Sequence, residues 1–365
     1  MRHLVFISAV LSGISLFANA SGQEINGPHL IRVGLTELWG NSHLQVQPIA
    51  GAFEWLDGSG EFFANAEGLQ SIRAGNSTLS GPNGKNSPYW ILRPVQPASV
   101  LRVITAQGDY LKFVGILHFW IEQGKLHVIL ESPVEDYLPG VVVSESGKGH
   151  RLEFYEVQSI VSRTYSVRTM GKHRMEGFDV CDQTHCQVFK GIQTVNDTIR
   201  LACRSTENLI LLDRLGQPAD AAFHSNCGGK TRSAVDVWQS DAHYLTAIRD
   251  SFCLAEKHAQ WTKEIPMTTW KNWTMQQQNL DPEGIKLAAR RSFALPSANF
   301  EIRPKEQVSS VTSLDPQSTI VLLGRGFGHG VGLCQEGSMS RAESNHSTWQ
   351  ILLAYYRGIR IGVLP

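Results

Sequence analysis

The sequence predicts an α+β protein with a β-rich N-terminal part, a mixed α/β core and a helical insertion. Three observations lead there. Short runs alternating apolar with polar residues, punctuated by turn chemistry, fill residues 29–130. Apolar residues at helical spacing mark residues 153–169. A polar, helical-looking stretch with Trp261, Trp270 and Trp273 covers residues 255–300. The expected division is a signal peptide at 1–20, a β-rich region at 21–130, the core at 131–254 and a helical insertion at 255–318. A Gly-rich C-terminal segment at 319–365 completes the core.

The elements follow in chain order. Arg2 and His3 precede a mostly apolar run from Leu4 to Ala18, and Ala18-Asn19-Ala20 reads as a small-x-small cleavage signal. That run has fifteen residues, short for a membrane span. The mature chain is therefore expected to start near Ser21 and to be exported, to the periplasm or cell envelope. Leu30 to Leu35 has the pattern of a half-buried strand. Hairpins are expected around Gln107-Gly108-Asp109 and around Gln123-Gly124-Lys125. Ser77 to Pro88 is loop chemistry. Phe154, Val157, Val161 and Tyr165 build one apolar stripe on a helix from Glu153 to Thr169, with Arg163 off that stripe. Strand patterns return at 208–223, turning at Leu215-Gly216-Gln217-Pro218, and residues 319–323 form a short strand. Thr348 to Tyr356 suggests a terminal helix.

Composition bounds the function. The 345 residues after the signal exceed one ordinary domain. Hydrophobic content of 42% and charged content of 18% suit a sizeable core. A net charge of zero argues against nucleic acid as a partner, because a polyanion needs a basic face, and leaves glycans open. The six cysteines of an exported chain read by default as disulfides, and they allow fifteen pairings.

The chemistry begins at Glu145, which closes the run Val134-Glu135-Asp136-Tyr137-Leu138-Pro139-Gly140-Val141-Val142-Val143-Ser144-Glu145. A carboxylate among apolar neighbours tends toward a raised pKa, which suits a general acid. A structural place at the end of an element is the competing reading. Cys181 and Cys186, with a four-residue gap, suit a zinc site completed by His173 or His185, and a Cys181–Cys186 disulfide is the alternative. His224 and Ser225 are adjacent in sequence, whereas a catalytic triad is defined by spatial roles, so substrate hydrogen bonding or cleft architecture is the better reading. The glycines at 324, 326, 328, 330, 332 and 337 lack the Lys-Ser/Thr of a phosphate loop. They suit a tight turn that lets the backbone approach a sugar, with Arg325, His329 and Gln335 as contacts, or a purely structural turn.

Taken in order, these segments resemble the family of stage II sporulation protein D and its amidase-enhancer relatives. The matching pieces are Glu-Asp-Tyr-Leu-x-Gly-Val-Val-x-x-Glu at 135–145, Ser162-Arg163-Thr164-Tyr165, and Cys-Asp-x-Thr-His-Cys-Gln-Val-Phe-x-Gly at 181–191. His-Ser-x-x-Gly-Gly at 224–229, Gly-Arg-Gly-x-Gly-His-Gly-Val-Gly at 324–332 and Tyr355-Tyr356-Arg357-Gly358 continue the series. Ser162 stands for the usual Ala and Phe189 for the commoner Tyr. Cys227 and Cys334 occupy places where many relatives have other small or polar residues.

The resemblance implies a lytic transglycosylase acting on peptidoglycan glycan strands already stripped of stem peptides, with a cell-wall amidase upstream. It places the catalytic acid on Glu145 and a site arginine on Arg163, whose alternative is a structural salt bridge. Tyr165, Gln187, Gly228 and Gly229 fall in the matched motifs and join His224, Ser225, Arg325, His329 and Gln335 as expected substrate contacts. Some family members carry zinc at the Cys181/Cys186 segment. The ion would be structural or positioning, since the reaction requires no metal. Two rival functions remain at this stage: a non-catalytic glycan-binding enhancer of an amidase, and a zinc amidase.

Overall fold

The computed structural model describes residues 29–305 and 318–364, and the expected signal peptide lies outside them. Helices and strands are mixed throughout, as α+β requires. No helix among the described residues is long and apolar enough to cross a membrane. The chain divides into two compact units. The first comprises 29–147, Thr169–Val195 and Leu364; the second comprises Lys148–Arg168 and Asn196–Val363.

Two sheets dominate the first unit. The larger runs Val180–Cys181, Leu30–Gly34, Lys125–Pro133, Ile116–Glu122, Tyr89–Pro94, Phe53–Leu56, Phe62–Ala66. It is antiparallel except where Val180–Cys181 lies parallel to Leu30–Gly34. The smaller runs Tyr110–Val114, Val100–Thr105, His43–Ala50, Gln70–Ala74, Leu79–Ser80, Asn86–Ser87. Both expected hairpins are present. Alternate residues point into one core: Ile31 and Val33, Leu44 and Val46, Leu101 and Val103, Leu126 and Val128 are all buried. Trp55 and Trp90 fill the space between the sheets edge to face, with ring centres 6.2 Å apart. Their indole N–H groups donate to Gln70 Oε1 (2.7 Å) and the Leu79 carbonyl (3.3 Å) of the smaller sheet. Each buried ring thus keeps its polar edge satisfied.

The strand Lys125–Pro133 leads straight into helix α1 (Val134–Ser146). Compactness therefore places α1 and the segment 169–195 with the N-terminal sheets, and the expected core at 131–254 is shared between the two units. The reason is covalent and hydrogen-bonded continuity. The Val134 amide donates to the His29 carbonyl, and Val180–Cys181 pairs with the edge strand Leu30–Gly34.

The second unit is organised on helix α2 (Leu152–Arg168), against which α3 (Asp197–Ser205), α7 (Gln335–Glu343), α8 (Thr348–Tyr355) and the strand Leu209–Leu212 pack. The apolar stripe predicted a one-sided helix. Instead α2 is buried on most of its surface, polar positions included. Those positions close on their own helix: Ser159, Thr164 and Ser166 hydroxyls donate to the carbonyls four residues back at 2.6–2.9 Å. The strand Leu209–Leu212 turns where expected, but its antiparallel partner is the distant Arg360–Val363.

Residues expected as a helical insertion contain strands as well. Gln260–Pro266 and Phe300–Pro304 flank Thr319–Arg325 in a three-stranded sheet, with α5 (Met267–Met275) and α6 (Pro282–Ser292) between them in sequence; the short α4 (Ala234–Trp238) precedes them. Gln260–Pro266 is mostly exposed and polar, so its strand character gives little apolar signal. Ile265, Trp270, Ala289, Leu295, Phe300, Ile320 and Leu322 make the core of this sub-structure. Trp270 touches Trp273, Phe293 and Phe300. Trp270→Ala is expected to lower the stability of the unit carrying it by about 3 kcal/mol, read as a shift of its urea midpoint.

Candidate active site

Helix α1 carries the first candidate residue. Its Val141-Val142-Val143 triplet favours strand, and Pro139 removes the amide that Glu135 would receive. Burial overrides both: Val134, Tyr137, Leu138 and residues 139–143 are all packed against the interior. Glu135 and Asp136 in the first turn suit the positive end of the helix. Gly147, with φ of 72°, ends it by donating to the Val143 carbonyl. Glu145 therefore sits in the last turn.

The segment after Val180–Cys181 folds over that turn and is fastened at both ends. At one end the Asp182 carboxylate accepts from the amides of Thr36 (3.0 Å) and Glu37 (3.2 Å), from the Thr36 hydroxyl and from Gln183 Nε2. At the other, the Lys190 amide donates to Ser144 Oγ (3.0 Å). Between them Phe189 packs at a tilt against Tyr137 (4.7 Å between ring centres) and approaches Phe113. Gly140 makes room for this: a Cβ there would stand 2.5 Å from the Phe189 ring and 2.8 Å from the Gly191 carbonyl. The small residue of the helix motif and the aromatic of the loop motif are thus two halves of one contact.

The loop brings the Val188 amide to 2.5 Å from Glu145 Oε1. Glu145 keeps part of its side chain accessible while the carboxyl is largely enclosed. Burial pushes its pKa up to about 7 from an ordinary 4.5, and the Val188 amide works against that rise without cancelling it. The negative end of the α1 dipole acts in the same direction as burial. Gln187, beside Val188, is fully buried.

The same segment holds a cluster of metal-type donors. His173, Cys181, His185 and Cys186 each offer an atom, all four within 4.8 Å of one another. Cys186 Sγ is 3.4 Å from His173 Nε2 and 3.8 Å from His185 Nδ1, and Cys181 Sγ is 3.9 Å from His185 Nδ1. A tetrahedral zinc with Zn–S near 2.3 Å and Zn–N near 2.0 Å spaces its ligands about 3.3–3.8 Å apart, so the set fits that ion. His173 Nδ1 lies 2.7 Å from Glu176 Oε1, the carboxylate partner that orients a ligating histidine. Cys181 and Cys186 are not bonded to each other. His185, an alternative to His173 in the sequence, converges together with it.

The remaining expected contacts belong to the second unit. Arg163 has no exposed surface; its guanidinium donates to the carbonyls of Leu209 (3.1 Å) and Cys203 (3.2 Å). This ties α2 to the end of α3 and the following strand, and the expected grip on a substrate carboxylate gains no support from it. Gln335 is buried and donates to Gln158 Oε1 on α2. Tyr165, Ser225 and Gly229 are partly exposed, Gly228 is buried and Arg325 is exposed. His224 and His329 form a pair with ring centres 5.5 Å apart, and Trp238 covers His329 at 4.9 Å. His224 Nδ1 donates to the Val331 carbonyl. Its Nε2 is buried with no hydrogen-bond partner among the described residues. Burial lowers the pKa of His224 to about 3 and of His329 to about 4, so both are neutral, and His224 Nε2 is left as an acceptor.

A family model described as stage II sporulation protein (SpoIID) matches residues 122–212, which contain α1, Glu145, α2 and the four-donor cluster. The chain is 27% identical over 278 residues to stage II sporulation protein D of Bacillus subtilis, covering 63% of this chain and 74% of that one. An uncharacterized protein of Brachyspira hyodysenteriae is 26% identical over 274 residues (69% and 72%). The amidase enhancer of Bacillus subtilis is 24% identical over 286 residues, but those cover 60% of this chain and only 39% of the enhancer. These matches support the stage II sporulation protein D and amidase-enhancer family as the one this chain is similar to.

A carboxyl with a raised pKa costs the fold stability as it ionises. The folded state binds the Glu145 proton more tightly than the unfolded state, so stability falls between about pH 4.5 and pH 7. Glu145→Gln is expected to match wild type at pH 4 and to exceed it at pH 8 by up to about 3 kcal/mol, less for the part still accessible. Urea unfolding at the two pH values measures the difference.

Proposed function

We propose that the protein is an exported lytic transglycosylase that cleaves peptide-denuded peptidoglycan glycan to 1,6-anhydromuramyl products. The observation that carries this reading is Glu145: one enclosed carboxyl at the end of the family's helix motif, with its proton held to near neutral pH. Hydrolytic glycosidases work with a pair of carboxylates, one of which activates water or attacks the sugar. A transglycosylase has no such need, because the C6 hydroxyl of the muramyl sugar is the nucleophile. Protonated Glu145 gives its proton to the glycosidic oxygen as the C1–O bond breaks. The C6 oxygen then bonds C1, and Glu145 recovers a proton from that hydroxyl, so the acid is regenerated and no water is consumed. Attack within one ring carries a high effective molarity.

His173, Cys181, His185 and Cys186 would hold zinc, supplying a rigid anchor for the loop that carries Val188. The ion's role is positioning. The relative named an amidase enhancer supports a partnership with an amidase that strips the stem peptides first.

Three outcomes test the reading. Digestion of purified, peptide-free glycan is expected to yield 1,6-anhydromuramyl ends by mass spectrometry; reducing ends alone would make the protein a hydrolase. Glu145→Gln should lower kcat at least about a hundredfold with the fold intact. If instead it stimulates an amidase as well as wild type does and no anhydro product ever forms, the protein is a non-catalytic enhancer. Because the protonated acid starts the reaction, kcat/KM should fall as pH rises through about 7.

A further inference from the structure

The second unit contains another convergence of donors, outside the stretch matched by the family model. Cys227, Asp250, Cys253 and Cys334 each present an atom within 4.8 Å of the others. All four are at most 4% exposed. We infer that they form a second zinc(II) site, with three thiolates and one carboxylate, that clamps three segments remote in sequence.

The distances suit an ion. Cys227 Sγ stands 3.4 Å from Cys253 Sγ and 3.8 Å from Asp250 Oδ2, within about 0.4 Å of the S–S (about 3.8 Å) and S–O (about 3.5 Å) edges of a tetrahedral zinc site. None of the three sulfurs is bonded to another. One disulfide would use two of them and strand the third beside a buried carboxylate.

The surroundings are those of a ligand shell. Cys334 caps the N-terminus of α7, and its sulfur accepts from the amides of Gly337 (3.4 Å) and Cys227 (3.3 Å). Such N–H donors are the outer partners that a ligating sulfur takes on its spare lone pairs. Asp250 is oriented from outside: Arg341 donates to Oδ1 (3.2 Å) and the Tyr355 hydroxyl to Oδ2 (2.5 Å). Such outer partners fix a ligating carboxylate, and Arg341 offsets surplus negative charge. Gly337 lets α7 come this close, since a Cβ there would stand 2.3 Å from Asp250 Oδ2. A thiolate-rich, four-donor set selects zinc over magnesium or calcium, and a closed site is structural.

The test isolates this site from the first cluster. Full-length Cys181→Ser/Cys186→Ser protein, purified without added metal, is expected to carry one zinc per chain by elemental analysis, and adding Cys253→Ser should remove it. Should the triple variant misfold, cobalt(II) added to metal-stripped Cys181→Ser/Cys186→Ser protein supplies the readout: one equivalent bound, with a sulfur-to-cobalt charge-transfer band. Unfolding that protein in chelator without reductant should leave Cys227, Cys253 and Cys334 all open to alkylation. A disulfide joining any two of them, an absence of bound metal, or iron or copper in place of zinc overturns the inference.

Discussion

The desolvation of Glu145 is the constraint on which the rest of the first unit turns. A carboxyl taken out of water is disfavoured in its charged form, and the Val188 amide offsets that only in part. What enforces the burial is the segment 181–191, pinned by Asp182 to Thr36 and Glu37, by Phe189 to Tyr137 and by Lys190 to Ser144. The four-donor cluster lies at the start of that segment, so its geometry and that of the acid are coupled through a few residues of backbone.

The two clusters of metal-type donors differ in a way that fits their positions. The first is partly open, with His185 exposed, and sits in a loop near the candidate acid. The second is closed on all sides and joins the turn at Cys227, the Asp250-x-x-Cys253 segment and the start of α7. The first resembles an organiser of a site, the second a substitute for apolar core in a unit built from short strands and helices.

Much of this was legible in the sequence where local signals agree. Both N-terminal hairpins show alternation around Gly-containing turns, and α2 shows apolar residues at helical spacing. Strand Gln260–Pro266 was hidden because its burial comes from one edge and few apolar residues. Helix α1 was hidden because three valines and a proline argue against the helix that burial imposes. Glu145 stands out by its motif and Cys181 and Cys186 by their gap, and His173 and His185, named as alternatives to complete the set, both lie beside those thiols. The structural use of Arg163 was obscured because the carbonyls it serves lie some 40 or more positions away. The second cluster offered only Asp250-x-x-Cys253 as a local hint, since Cys227 and Cys334 are 107 positions apart. In a chain expected to be exported, six cysteines pointed to disulfides first.

The most direct test of the account is the titration of the Glu145 carboxyl itself. Carbon-13 resonances of labelled glutamate, assigned by comparison with Glu145→Gln, should show one group titrating near pH 7 while the exposed glutamates titrate near their usual 4.5. A Glu145 carboxyl that loses its proton at or below pH 4.5 would contradict the claim that this enclosed group is the acid.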